Sequence, residues 1–273
     1  MLSRPQSPRT RRAATPQARL PALRSAGFAV CAALASLALL TTGCAGDASL
    51  AARLASGERS TEDKARDAGR RPAEVVAFMG IAPGMTVMDL LAAGGYYTEV
   101  LAEAVGPDGT VYAHNIEYVL KIRDGINDKA LSARLAGDRL PNVKRLDREF
   151  DDLGLAPGSV DVVFTALNLH DIIDGRGPEA TAAVLGAVRE VLVPGGVLAV
   201  IDHAGDPGQD ALNKKLHRID EARVTAAIEA AGFDIEARSG VLRNVDDDRT
   251  TMVFAPHMRG RTDRFVIRAR RSD

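Results

Sequence analysis

Three apolar runs in this chain end in residues able to do chemistry. Val160 to Leu167 is followed by Asn168, His170 and Asp171. Val197 to Ile201 is followed by Asp202 and His203, and Val87-Met88 by Asp89 and the small residues Ala92-Ala93-Gly94-Gly95. An imidazole among carboxylates is the equipment for moving a proton near neutral pH. His170 is the candidate base, with Asp202 as a second; the alternative for His170 is a histidine that only orients a loop. No zinc-ligand spacing, Walker loop or nucleophile elbow accompanies them, which makes hydrolase and kinase readings poor.

These residues need a frame that brings strand ends together. Val87 and Met88 suit a buried strand, and Val100, Leu101, Ala104 and Val105 past the glycines fall at helical spacing. Strand, small-residue turn and helix form the opening unit of a doubly wound α/β sheet, where a ligand approaches bare backbone and the helix N-terminus offers free N–H groups. The dinucleotide pattern G-x-G-x-x-G is absent. Further strands are expected at Thr110 to Asn115, Asn142 to Leu146, Val160 to Leu167, Val193 to Asp202, from Phe233, and from Arg264 to Ala269. Helices are expected at Glu117 to Ala136, interrupted near Asp124-Gly125, at Pro178 to Leu192, and after Glu221. Ahead of the first strand, Ser60-Thr-Glu-Asp63 resembles a capping box opening a helix through Ala68. Arg71-Pro72 opens another, which Gly80 stops. Arg70 and Arg71 read as solvated charges, the alternative being a lid residue that points inward.

Asp89-x-x-x-Ala93-x-Gly95 resembles motif I of the class I S-adenosylmethionine (SAM)-dependent methyltransferases, acid-x-Gly-x-Gly-x-Gly, with Leu91 and Ala93 in place of two glycines. Leu192-x-Pro-Gly-Gly196 before an apolar strand and Ala231-Gly-Phe233 before another resemble the same family. A bacterial group of predicted methyltransferases is similar through Gly94-Gly-x-Tyr-Thr-Glu-x-Leu101, Asn168-x-His-Asp171 and Arg259-Gly-Arg-Thr-Asp-Arg-Phe265. The resemblance implies a doubly wound, seven-stranded, mostly parallel α/β sheet with its last strand antiparallel. It implies SAM as cofactor, held by Asp89, Leu91, Ala93, Gly94, Gly95, Asn115, Asp151 and Asn168. Asn115 takes the place of the acid that holds the ribose, and Asp151 lies in the loop whose acid reaches the adenine, or else caps a helix. Methyl transfer to a small-molecule acceptor follows, His170 or Asp202 serving as base, with a pocket shaped by the segments 206–215 and 240–263. The alternatives are a SAM-fold protein that binds without turnover and a structural envelope lipoprotein, because a fold does not fix chemistry.

The first 44 residues read as a leader. Six arginines are their only charged side chains, and a charge-free run from Ala26 to Leu40 is too short to span a bilayer comfortably. Leu40-Thr-Thr-Gly-Cys44 resembles a lipobox, which implies lipidation of Cys44, a membrane anchor and a place in the cell envelope facing the periplasm. Cys31 and Cys44 are the only cysteines, so the domain has no internal disulfide. Residues 45–59 are expected as a tether and 60–273 as the methyltransferase-like domain. Without the leader, 29 basic side chains face 36 acidic ones, a net of −7, which argues against nucleic acid as a partner. SAM is made in the cytoplasm, in conflict with that address; a misassigned start, leaving a cytoplasmic protein, is the alternative.

Overall fold

In the computed structural model, the described residues are 50–273. The leader, the lipidation of Cys44 and the start of the tether lie outside them. Seven strands form one sheet in the order β3-β2-β1-β4-β5-β7-β6. They are β1 (Thr86–Leu90), β2 (Thr110–Asn115), β3 (Val143–Asp147), β4 (Val160–Ala166), β5 (Leu192–His203), β6 (Phe233–Ser239) and β7 (Arg264–Arg271). β1 to β5 pair in parallel, and β7 enters antiparallel between β5 and β6. The expected fold class is therefore the observed one, with antiparallel β7 inserted beside the edge strand β6.

Alternation along the strands splits the apolar side chains between two cores, as a two-residue period requires. Met88, Val163, Leu198, Val200, Phe265 and Ile267 face α6 (Leu169–Val191) and α8 (Glu221–Ala230). Val87, Val111, Phe164, Ala199, Ile201 and Val266 face α3 (Pro72–Met79) and α4 (Tyr96–Val105). Both faces are covered, which is why the central strands read as continuous apolar runs.

The N-terminal cover reaches further back than expected. Residues 50–56 form a helix, α1, whose Leu50 and Leu54 are buried in the second core, and Arg59 is ion-paired to Asp67 at 2.6 Å. The described part of the expected tether is thus packed against the domain, because it carries apolar side chains at helical spacing. α2 (Thr61–Arg70) begins at Ser60, whose side chain accepts a hydrogen bond from the Asp63 N–H at 3.1 Å. Asp63 does not complete the capping box. It is buried and pairs with Arg66 and with Arg134, which arrives from α5 (Glu117–Leu135) and also holds Glu99 of α4. One arginine thereby ties three helices. Arg70 is not a solvated charge: its guanidinium lies 4.3 Å from the Tyr96 ring centroid and 5.4 Å from that of Tyr97. Arg71 is exposed and paired with Glu74.

α5 breaks over Ile122 to Gly125, where the backbone leaves the helical region. α6 begins at Leu169 instead of Pro178, so His170 and Asp171 sit in its first turn, with a break at Gly177. The loop expected at 206–215 contains a short helix, α7 (Asp210–Lys215). Among the described residues no helix is long and apolar enough to cross a membrane.

Candidate functional site

Strands β1, β4 and β5 deliver their carboxyl ends to one edge, where parallel sheets bind ligands. The chain leaves β1 through residues 91–95. Leu91, Ala93 and Gly95 have φ of 60°, 49° and 83°. All three motif positions are therefore left-handed, though only the last is a glycine. A left-handed backbone at a residue with a Cβ costs about 1–2 kcal/mol. Its survival at Leu91 and Ala93 means that the surroundings enforce it.

The enforcing contacts are visible. Asn115, fully buried at the end of β2, accepts the Ala93 N–H at 2.8 Å through its carbonyl oxygen and donates to the Ala93 carbonyl at 3.2 Å. Asn168, at the end of β4, donates to the Leu91 carbonyl at 3.1 Å. Arg134 donates to the Gly94 carbonyl at 3.0 Å. A Cβ on Gly95 would stand 2.9 Å from Leu131, so this glycine also lets α5 approach. Asp89 is buried and accepts from the Thr98 hydroxyl at 2.7 Å; burial raises its pKa to about 7 despite that bond and nearby Arg70. Asn115 thus has a partner other than the one expected: both ends of its amide are committed to the loop. Asp151 lies exposed in the loop after β3, away from these contacts.

The second group surrounds Asp202, which is fully buried at the end of β5. Its carboxylate accepts the His170 backbone N–H at 2.8 Å, the His170 ring at Nδ1 at 2.7 Å, and the His203 backbone N–H at 2.8 Å. Burial opposes charge on both members of the pair. Their mutual attraction outweighs it, holding Asp202 below the usual carboxylate range and lifting His170 to about 9, with help from Asp171 and Asp174. His203 is the reverse case. Burial pushes its pKa well down, and its Nδ1 meets the Thr262 hydroxyl at 2.8 Å. Thr262 also receives a hydrogen bond from Arg264, which burial, and then Arg70, depress to about 10. Arg264 reaches the Gly69 carbonyl at 3.1 Å, closing the edge against α2. A cavity of about 480 Å³ beside Pro83, Gly106 and Asn142 precedes the strands and contains none of these residues.

The order of strands, with the antiparallel insertion of β7, decides the architecture. The fold is that of the class I SAM-dependent methyltransferases. A SAM-dependent methyltransferase structure from Aquifex aeolicus superposes with a TM-score of 0.55 at 22% identity, covering 73% of this chain and 88% of that one. No family model matches the sequence. An uncharacterized methyltransferase of Synechocystis is 27% identical over 124 residues, 45% of this chain and 50% of that protein. The ubiquinone/menaquinone biosynthesis C-methyltransferase of Ectopseudomonas mendocina is 28% identical over 141 residues, 51% of this chain and 49% of that protein. The chain spans about half the length of either relative.

The fold family implies SAM, and this methyltransferase fold keeps the loop backbone at all three motif positions, which fits such a group. The carboxylate expected at the end of β2 is replaced by an amide already engaged. Of the predicted residues, the structure brings together Asp89, Leu91, Ala93, Gly94, Gly95, Asn115 and Asn168 around one loop, and His170 with Asp202 beside it. Arg70 follows the alternative of an inward-pointing residue, whereas Arg134, Thr262 and Arg264 were not anticipated, because their contacts join distant segments.

Proposed function

We propose that the chain is a SAM-dependent methyltransferase acting on a small molecule. The observation that carries this reading is the left-handed backbone kept at Leu91, Ala93 and Gly95. Asn115, Asn168 and Arg134 hold that backbone although two of the three residues carry a Cβ. When bound, SAM supplies an electrophilic methyl group. The chain's task is then to hold an acceptor in line with it, since alignment provides much of the acceleration in such a displacement. Residues 91–95, presented by Asn115 and Asn168, would hold the cofactor, with Asp89 fixing the start of α4 through Thr98. Asp151 is assigned to the adenine side. On the acceptor side, Asp202 fixes the His170 ring through Nδ1.

Calorimetric titration of the full chain with SAM tests the reading: one saturable site is expected. His170→Ala should lower methyl transfer by about 100-fold or more with SAM affinity retained. Absence of SAM binding by folded protein would defeat the proposal. For the leader we propose cleavage before Cys44, lipidation of that cysteine and a periplasm-facing anchor. Mass spectrometry of the membrane fraction should find a diacylglycerol-modified N-terminal Cys44, and a soluble form starting elsewhere would rule this out.

A further inference from the structure

His170 is 5% exposed and its Nε2 has no hydrogen-bond partner. Two other ligand-type groups stand in front of that atom. Asp171 Oδ1 lies 3.4 Å from it, and His217 Nδ1 lies 3.6 Å from the same oxygen. One ligand atom from each of the three residues falls within 4.8 Å of the others. A tetrahedral ion with ligands about 2.0–2.1 Å away sets its ligand atoms roughly 3.3–3.5 Å apart. Two of the three separations are already near this span. The remaining one closes by a small rotation of His217, whose side chain is 37% exposed.

The surroundings are those of a metal ligand set. Asp202 holds His170 Nδ1 at 2.7 Å, which fixes the ring and turns Nε2 towards Asp171. A carboxylate behind a coordinating histidine does this at zinc centres, setting tautomer and orientation. His217 is held through its neighbour: Arg218 is fully buried and makes two hydrogen bonds to Asp247 at 2.8 and 3.0 Å. The His217 ring rests on Phe254, centroid to centroid 4.8 Å.

We propose that His170, Asp171 and His217 form a binding site for a divalent transition-metal ion of the zinc class. Two imidazoles and a carboxylate leave the fourth position open, the arrangement of a catalytic rather than a structural site. An acceptor oxygen or sulfur could be bound at that position; this consequence alone rests on the methyltransferase reading. The site rests on the ligand geometry.

Cobalt(II) titration of the metal-stripped full chain, followed by visible absorption, is the test. One equivalent should bind with the intense bands of tetrahedral coordination. His217→Ala and Asp171→Asn alter partly or largely exposed side chains, so both variants should keep the wild-type circular dichroism and lose the bands. Asp202→Asn should weaken binding by about 10–100-fold. Failure of the wild-type protein to bind cobalt, or binding unchanged in both surface variants, would overturn the proposal. A parallel SAM titration separates the two ideas. SAM binding without cobalt binding removes the metal site alone, whereas cobalt binding without SAM binding upholds the metal site and removes the methyltransferase reading.

Discussion

Ala93→Gly should make the protein more stable, although it deletes a side chain. Ala93 sits at φ 49°, where a Cβ costs about 1–2 kcal/mol relative to glycine. Glycine loses more backbone entropy on folding, roughly 0.5–1 kcal/mol. The difference favours the variant by about 1 kcal/mol, since the Ala93 methyl is only partly buried and its backbone bonds to Asn115 are unaffected. Leu91→Gly relieves similar strain at φ 60° but removes a buried side chain from the first core, a loss of about 2–5 kcal/mol. The paired variants should therefore move in opposite directions. Urea unfolding monitored by circular dichroism measures both, with equal m-values required for the comparison. Destabilisation by Ala93→Gly would show that the loop is not strained and would remove the main support for a ligand-shaped backbone.

Asp89 has a folded pKa raised to about 7 by burial, so its contribution to stability is complete below its unfolded value near 3.8 and is lost as pH rises through 7. Asp89→Asn should accordingly lose less stability than wild type between pH 4 and pH 8, read by urea unfolding across that range; parallel curves would contradict the assignment. Asn115→Asp removes the donor to the Ala93 carbonyl and sets a carboxylate against it, so a loss of about 1–3 kcal/mol and weaker SAM binding are expected; tighter binding would return residue 115 to the ribose. Asp247→Ala strands the fully buried Arg218 and should cost about 3–5 kcal/mol in thermal unfolding; a change below about 1 kcal/mol would mean that Arg218 finds water or another acceptor.

Strand and helix positions were legible wherever local chemistry punctuated an apolar run. β2 ends at Asn115 as read, and the break in α5 falls at Asp124-Gly125, where a glycine and an acid interrupt the helical pattern. The start of α6 was not legible, because Gly175, Gly177 and Pro178 mask a helical turn carrying His170 and Asp171. Helix α1 was hidden in a stretch whose charged residues suggested a tether. The motif positions 89, 91, 93 and 95 could be found in the sequence, yet their conformation could not, since Leu91 and Ala93 are poor indicators of positive φ. Nor could the partner of Asn115 be read: a polar residue at a strand end says nothing of which acceptor it reaches. His217 went unrecognised because its relation to His170 exists only once β4, β5 and the loop after α7 are assembled.

Within the sheet, β6 touches only β7, and β7 is what joins it to β5. Strands β6 and β7 therefore form a terminal hairpin-like pair whose separation from β5 would also carry Thr262 and Arg264 away from His203 and α2. Because Phe265, Val266 and Ile267 of β7 are buried in the two cores, such an opening would be a cooperative event rather than fraying of an edge. Amide hydrogen exchange would register it as one block of protection in β6 and β7, distinct from that of the parallel strands. Access to the edge would then be governed by the opening equilibrium of a two-strand unit instead of by the motion of a loop.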